Sequence, residues 1–230
     1  MKTMYKLFHP DEVHVWKCKI NELKKHIKLY TTWLSNDEYT YAIQFKNEIR
    51  RQNYIICRGI TKYIISLYTQ TSPSNIEISY TQYRKPYLKN QNLYFNISHS
   101  ADLVVIALAK KKIGIDIEKI KVLDNYQKIA SHFLNNREKG IFYELDTLQQ
   151  KHLFFTIWSS KEAVVKALGY GLHFPLQKVN ILQTNEQIAN SILIENSYYT
   201  IHNSAICAGY KSAICKKGII QSIYMYDLNS

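Results

Sequence analysis

The six residues Ile113-Gly114-Ile115-Asp116-Ile117-Glu118 constrain this chain more than any other stretch. Isoleucine at every second position is the period-2 pattern of a strand with one face in a core. Alternation sends Gly114, Asp116 and Glu118 to the opposite face, with the two carboxylates roughly 7 Å apart. Two acids fixed side by side on a rigid strand repel each other and resist desolvation. A cation is expected to hold such a pair, and hard divalent ions such as Mg²⁺ take carboxylate oxygens. The other reading of the same triplet is a polar, solvated strand face.

The flanking stretches extend this picture. Leu103 to Ala109 is a continuous apolar strand and Lys110-Lys111-Lys112 a basic turn, so Ile113 to Glu118 is predicted to be its hairpin partner. Leu93 to Ser100 is an aromatic strand ending in Ser98-His99-Ser100, and its hydroxyls and imidazole N–H groups suit phosphate oxygens. Adjacent residues on an extended chain point oppositely, which makes Ser98 and His99 a poor nucleophile–base pair.

Further towards the N-terminus, Val13 to Trp16 alternates like an opening strand. Asn36-Asp37-Glu38 can cap a helix running through Tyr41, Phe45 and Ile49. Asn53 to Tyr68 has helical spacing, with Arg50, Arg51, Arg58 and Lys62 on its approach and polar side, where a solvated face is expected. Arg58 is set apart because Gly59 after it permits close backbone approach. Ile76 to Tyr80 reads as a strand. Arg84-Lys85-Pro86-Tyr87 reads as a loop in which Pro86 biases Lys85 towards an extended conformation.

Beyond the acidic strand, Tyr126 to Phe133 looks helical, and Asn135 to Glu138 resembles a second helix start. A third helix begins near Thr147 and leads into Trp158-Ser-Ser-Lys161-Glu162-Ala-Val-Val-Lys166-Ala-Leu168, ending at Gly169. Trp158, Glu162 and Lys166 are spaced i, i+4, i+8 and share one stripe. With Asp116 and Glu118, Glu162 would give three carboxylates for one Mg²⁺, and Lys161 and Lys166 could reach phosphates sharing the ion.

At 230 residues and 46% hydrophobic content the chain can form one large domain or two small ones. Its net charge of +12 favours a polyanionic partner, whether nucleic acid, an anionic membrane, a phosphate-rich cofactor or an acidic protein. The cysteines (Cys18, Cys57, Cys207 and Cys215) lack metal or disulfide spacing and read as reduced thiols. The longest apolar run, Leu103 to Ala109, is far too short for a bilayer span. A soluble, cytoplasmic protein is expected.

Three pieces in one order make a more specific pattern: Phe95-Asn-Ile-Ser-His-Ser100, Ile113 to Glu118, and Trp158-Ser-Ser-Lys-Glu-Ala-x-x-Lys166 with Gly169 and Gly171. Together they resemble the signature of 4′-phosphopantetheinyl transferases, in their longer, surfactin-synthetase-activating type. The resemblance implies transfer of the phosphopantetheine arm of coenzyme A to a serine of an acyl or peptidyl carrier protein, with release of adenosine 3′,5′-bisphosphate. It implies Asp116, Glu118 and Glu162 as ligands of Mg²⁺, or of Mn²⁺ in its place, with Glu162 or a water on the ion as base. Lys166 would contact the pyrophosphate, with Lys161 beside it on the same helix. His99 and Ser98 would bind the 3′-phosphate and neighbouring phosphate oxygens, and Lys85 would lie near the nucleotide. Arg84 stands where those enzymes carry glycine, and Arg58-Gly59 resembles an Arg-Gly pair near the nucleotide phosphate.

The implied fold is α+β, two similar halves related by a pseudo-twofold with the active site between them, here residues 1–112 and 113–230. Tyr199 to Cys215 repeats the strand–turn–apolar strand of Tyr94 to Ala109. The region from Ile120 to Phe133 would dock the carrier, an acidic protein that a +12 enzyme attracts. A monomer is expected, acting on neither nucleic acid nor membrane. The rival readings are a basic nucleic-acid-binding protein, with 19 tyrosines for stacking, and a phosphodiesterase using the same carboxylates with water as nucleophile.

Overall fold

Every residue of the run Leu103–Ala109 is buried, because helices pack on one face of its sheet and a second sheet on the other. The computed structural model describes residues 8–89, 91–121, 125–182 and 188–228. Its first elements are β1 (Glu12–Lys19), α1 (Ile20–Leu23), α2 (Ile27–Thr32), α3 (Asn36–Ile43), α4 (Glu48–Thr69), β2 (Ile78–Tyr80) and β3 (Pro86–Leu88). There follow β4 (Tyr94–Ser100), β5 (Leu103–Ala109), β6 (Ile113–Lys119), α5 (Tyr126–Phe133), α6 (Asn136–Glu144) and α7 (Thr147–Leu168). The chain ends with β7 (Ser191–Ile194), β8 (Ser197–Ser204), β9 (Tyr210–Lys217) and β10 (Ser222–Asp227).

One sheet has the order β10-β1-β5-β4 and another β6-β9-β8-β7, while β2 and β3 form a small ribbon. On the outer face of the first sheet, Ile56, Ile60 and Ile64 of α4 pack with Trp16, Val104, Ile106 and Leu108. Its inner face, through Val13, Val15, Val105 and Ala107, meets Ile113, Ile115, Ile117 and Ile214 of the second sheet. The far face of the second sheet receives α7, whose Ala163, Val164 and Ala167 pack with Ile201, Ala213 and Cys215. The result is an α+β fold in which two sheets lie between two groups of helices, and the antiparallel pair β8–β9 echoes β4–β5.

Ile113 to Glu118 is not the hairpin partner of Leu103 to Ala109. Strand β5 pairs with β1 and β4, whereas β6 pairs with β9. The reason is facial: isoleucines of β6 and small apolar residues of β5 pack across the gap between the sheets. The lysine turn carries the chain from one sheet to the other. The strand that does lie along β6 is β4, and side chains join them. The backbone N–H groups of Ile115, Ile117 and Lys119 donate to Asn96 Oδ1 (2.9 Å), Ser98 Oγ (3.3 Å) and Ser100 Oγ (3.0 Å).

The expected division at 112/113 is crossed by the C-terminus. Strand β10 returns to lie parallel to β1, and the Trp16 and Tyr226 rings stack at 4.6 Å. The helix expected to run from Asn36 past Phe45 ends at Ile43, and α4 starts afresh at Glu48 with Asn47 as its cap. Ser35, not Asn36, caps α3, in a reciprocal box with Glu38. Lys62, expected on a solvated face, is buried, with Nζ 2.7 Å from Glu38 Oε2 and 2.8 Å from the Trp33 carbonyl oxygen. Pro86–Leu88 pairs with Ile78–Tyr80 as a strand, where a loop was expected.

His14 on β1 is buried among the rings of Phe8, Tyr68, Tyr224 and Tyr226, with Nδ1 2.8 Å from the Tyr68 hydroxyl, which also accepts from Trp16 Nε1. Burial pulls its pKa down to about 4, against a smaller opposing effect of Glu12. The unfolded chain therefore binds this proton more readily. Stability is complete above the ordinary imidazole pKa and is lost as pH falls towards the folded value. Between about pH 7 and about pH 5 the urea midpoint of the native chain should fall further than that of His14→Gln, by the equivalent of about 2 kcal/mol.

Candidate active site

Helix α7 reaches the acidic strand because Gly114 lets it. A methyl at Gly114 would collide with the Ala163 carbonyl oxygen and the Ala167 amide nitrogen, so only glycine allows the helix backbone onto β6. The helix opens on a capping box between Asp146 and Gln149 and stops at Gly169, whose φ of 93° is left-handed. Strand β6 and α7 run in opposite directions, so the stripe Trp158, Glu162, Lys166 lies over Glu118 and Asp116. Lys166 Nζ is 2.6 Å from Asp116 Oδ1, and Trp158 Nε1 donates to Glu118 Oε1 at 3.3 Å.

These side chains, with Ser98 and His99 from β4, line one cavity of about 280 Å³. Its two walls come from the two sheets. Ser98 Oγ is fully committed: it donates to Asp116 Oδ1 (2.9 Å), accepts from the Ile117 N–H and lies 3.1 Å from Lys166 Nζ. Ser100 Oγ repeats the pattern one step along, donating to Glu118 Oε2 at 3.0 Å and accepting from the Lys119 N–H. Burial, and less strongly Asp116 and Glu118, push the Glu162 carboxyl up to about 7, against the attraction of Lys166. Burial and then Asp116 raise Glu118. His99 is lowered, by burial first and Lys166 second, so it offers a neutral ring at the cavity.

The donor set suits a hard divalent cation. Asp116 Oδ2 and Glu162 Oε1 are buried without a hydrogen-bond partner among the described residues. Lys166 supplies one positive charge against three clustered carboxyls. Among the described residues no three His, Cys, Asp or Glu side chains stand around a common point as a complete ligand set, and Lys166 Nζ lies against Asp116 instead. Carboxylates gathered this closely in a half-buried cavity are those that such an ion stabilises.

Lys161, expected at the phosphates, and Lys85, expected near the nucleotide, both bond protein oxygens. Lys161 is fully buried on the opposite side of α7, where Nζ meets Glu138 Oε2 (2.5 Å) and the carbonyl oxygens of Phe133 (2.9 Å) and Leu176 (3.0 Å). Consecutive helical positions diverge by about 100°, so a neighbour of Glu162 cannot share its cavity. Lys85 donates to the carbonyl oxygens of Ile113 and Ala167, both at 3.0 Å, pinning the start of β6 to the end of α7. Burial, then Lys112, lowers its pKa to about 8.

Arg58 faces a different cavity, of about 640 Å³, with Tyr41, Phe45, Tyr54, Tyr80 and Arg84 in its walls. It bonds the Tyr80 hydroxyl through Nη2, sits over the Tyr54 ring and approaches Glu38, while Nη1 has no hydrogen-bond partner among the described residues. Gly59 gives its close approach to the Tyr30 side chain. Arg84 holds a φ of 63°, a region that glycine adopts without steric cost.

Sequence reasoning missed Ser100 and Trp158 as partners of Glu118. Residues 96, 98 and 100 share one parity with 116 and 118, and this could have flagged Ser100. The contact of Trp158 could not be foreseen without knowing that α7 lies on β6. Of the region expected to dock a carrier, residues 122–124 lie outside the described residues. No helix among the described residues is long and apolar enough to cross a membrane.

Comparison with known proteins gives a consistent result. Residues 112–215 match the family model of the 4′-phosphopantetheinyl transferase superfamily, and residues 16–111 that of the 4′-phosphopantetheinyl transferase N-terminal region. The chain is 30% identical over 179 residues to the 4′-phosphopantetheinyl transferase HetI of Nostoc sp., covering 76% of this chain and 75% of that protein. To the 4′-phosphopantetheinyl transferase Sfp of Bacillus subtilis it is 32% identical over 158 residues, covering 68% and 70%. To the 4′-phosphopantetheinyl transferase gsp of Aneurinibacillus migulanus it is 31% identical over 199 residues, covering 85% and 81%.

The contact at Gly114 can be tested directly. Gly114→Ala should force α7 off β6 and lower the unfolding free energy by about 3 kcal/mol, the upper part of the overpacking range. Denaturant titration checks this, and a variant as stable as the native chain would contradict the contact.

Proposed function

The chain belongs to the 4′-phosphopantetheinyl transferases, and on that premise we propose how its own residues move a phosphopantetheine arm from coenzyme A to the serine of a carrier protein. The convergence of Asp116, Glu118, Glu162 and Lys166 on one cavity carries this reading. Asp116, Glu118 and Glu162 would hold Mg²⁺, or Mn²⁺ in its place. When bound, such an ion supplies positive charge to the diphosphate of coenzyme A and steadies the charge that builds on the departing phosphate.

Lys166, already directed at Asp116, adds a second positive charge on the same side. His99 presents its ring to phosphate oxygens at the cavity edge. Glu162, or a water on the ion held beside it, would take the proton of the carrier serine. The serine oxygen bonds to the phosphorus nearest the pantetheine. The bond from that phosphorus to the bridging oxygen breaks, and adenosine 3′,5′-bisphosphate leaves with the electron pair.

The larger cavity around Arg58 suits the nucleotide end. Its aromatic walls can flank a base, and the unpartnered guanidinium nitrogen is suited to a phosphate. Lys161 and Lys85 act instead as structural pins. The carrier would dock beside α5, where an apolar groove of about 330 Å³ between Tyr126, Leu148 and Phe155 is flanked by Lys121 and Lys151. Those lysines suit an acidic partner, and association should weaken with salt.

Incubating the enzyme with an apo carrier protein, coenzyme A and Mg²⁺ should add one phosphopantetheine arm to the carrier, read by intact-mass spectrometry. Chelation should stop the gain and added Mg²⁺ restore it. Lys166→Ala should lower kcat by about 10²-fold, as for one positioned charge at a transition state, and Asp116→Ala by at least as much. Hydrolysis of coenzyme A without modification of any carrier would point to water as the nucleophile and overturn the transfer reading.

A further inference from the structure

Of the three acids, Glu118 has a hydrogen bond on each carboxylate oxygen, both from groups that carry no charge, whereas Asp116 Oδ2 and Glu162 Oε1 have no partner among the described residues. Ser100 Oγ donates to Oε2 at 3.0 Å from β4, and Trp158 Nε1 donates to Oε1 at 3.3 Å from α7. Ser100 Oγ is in turn fixed by accepting the Lys119 N–H at 3.0 Å, so its hydroxyl proton has a set direction. The Trp158 ring is fixed by edge packing on Phe133, with centroids 5.1 Å apart. A glutamate has three side-chain torsions to lose, and a bare carboxylate beside Asp116 would swing away from the like charge. Two neutral donors from two different elements hold it facing the cavity without cancelling its charge.

From this we infer that Ser100 and Trp158 are positioning residues: together they clamp the Glu118 carboxylate in the orientation that a divalent cation needs. The clamp rests on the reading of Asp116, Glu118 and Glu162 as ligands. It also ties the ligand set to both halves of the fold, since one jaw is in the first sheet and the other on the helix of the second. Neither residue needs to touch coenzyme A or the ion. Losing an outer partner of a metal ligand usually weakens metal binding by about 10- to 100-fold.

The test is Mn²⁺ affinity of the free enzyme, without coenzyme A or carrier, by the loss of the free-ion electron paramagnetic resonance signal. Ser100→Ala and Trp158→Phe should each weaken Mn²⁺ by about 10-fold, and Ser100→Thr, which keeps the hydroxyl, should stay near the native value. Both weakened variants should regain most of their kcat as Mg²⁺ is raised, a recovery that a general packing defect would not give. Trp158→Phe retains the ring contact with Phe133, so it guards against a folding loss at Ser100. Native Mn²⁺ affinity in both Ser100→Ala and Trp158→Phe would overturn the clamp. A native enzyme that takes up no Mn²⁺ would overturn the ligand assignment itself, and the clamp with it.

Discussion

Two sheet edges meet in this molecule without a backbone ladder between them, and side chains of β4 do the joining. Left alone, the N–H groups of Ile115, Ile117 and Lys119 would face the junction unpaired, at about 1–3 kcal/mol each where buried. Asn96, Ser98 and Ser100 accept them at matching two-residue steps. Because both strands alternate, a shift of one residue would put Ile97 and His99 where the acceptors must be. The register is therefore fixed by chemistry. The serines that set it are the same ones that donate to Asp116 and Glu118, so joining the sheets and aiming the acids are one event.

The second wall depends on contact rather than on hydrogen bonds. Gly114 admits the backbone of α7, and three further ties hold the helix in place. Lys161 reaches back to Glu138 and two carbonyl oxygens, Lys85 crosses from the first half to the Ala167 carbonyl, and Val164 and Ala167 fill the core. A helix held this firmly can present Glu162 to two other acids. Burial first, and those two acids after it, push the Glu162 carboxyl up to about 7. A structure optimised for stability alone would not collect three carboxyls in a half-buried cavity, and Lys166 only partly offsets them.

Much of this was open to inspection in the sequence. The alternation at 113–118 placed three isoleucines in a core and two acids opposite them, and each isoleucine is fully buried. The i, i+4, i+8 stripe brought Glu162 and Lys166 to one side, and the same cavity takes both. Errors arose where a residue's surroundings, not its neighbours in sequence, decide its role. Three lysines between two apolar strands look like a hairpin turn, yet the strands pack face to face in different sheets. Lys62, Lys85 and Lys161 look like free positive charge, and each is used up by oxygens from distant segments.

Local periodicity, set by backbone geometry, determined which residues of the acidic strand and of its helix share a face, and with the ordered motifs it indicated the family. Only the tertiary structure decided which strand lies along β6, that β10 closes the first sheet, and which lysines are spent on buried protein oxygens. Those outcomes depend on long-range pairing of buried polar groups. A lysine on a helix carries no local mark of whether a carboxylate from another helix will meet it, so its role was fixed by the fold and not by its place in the chain.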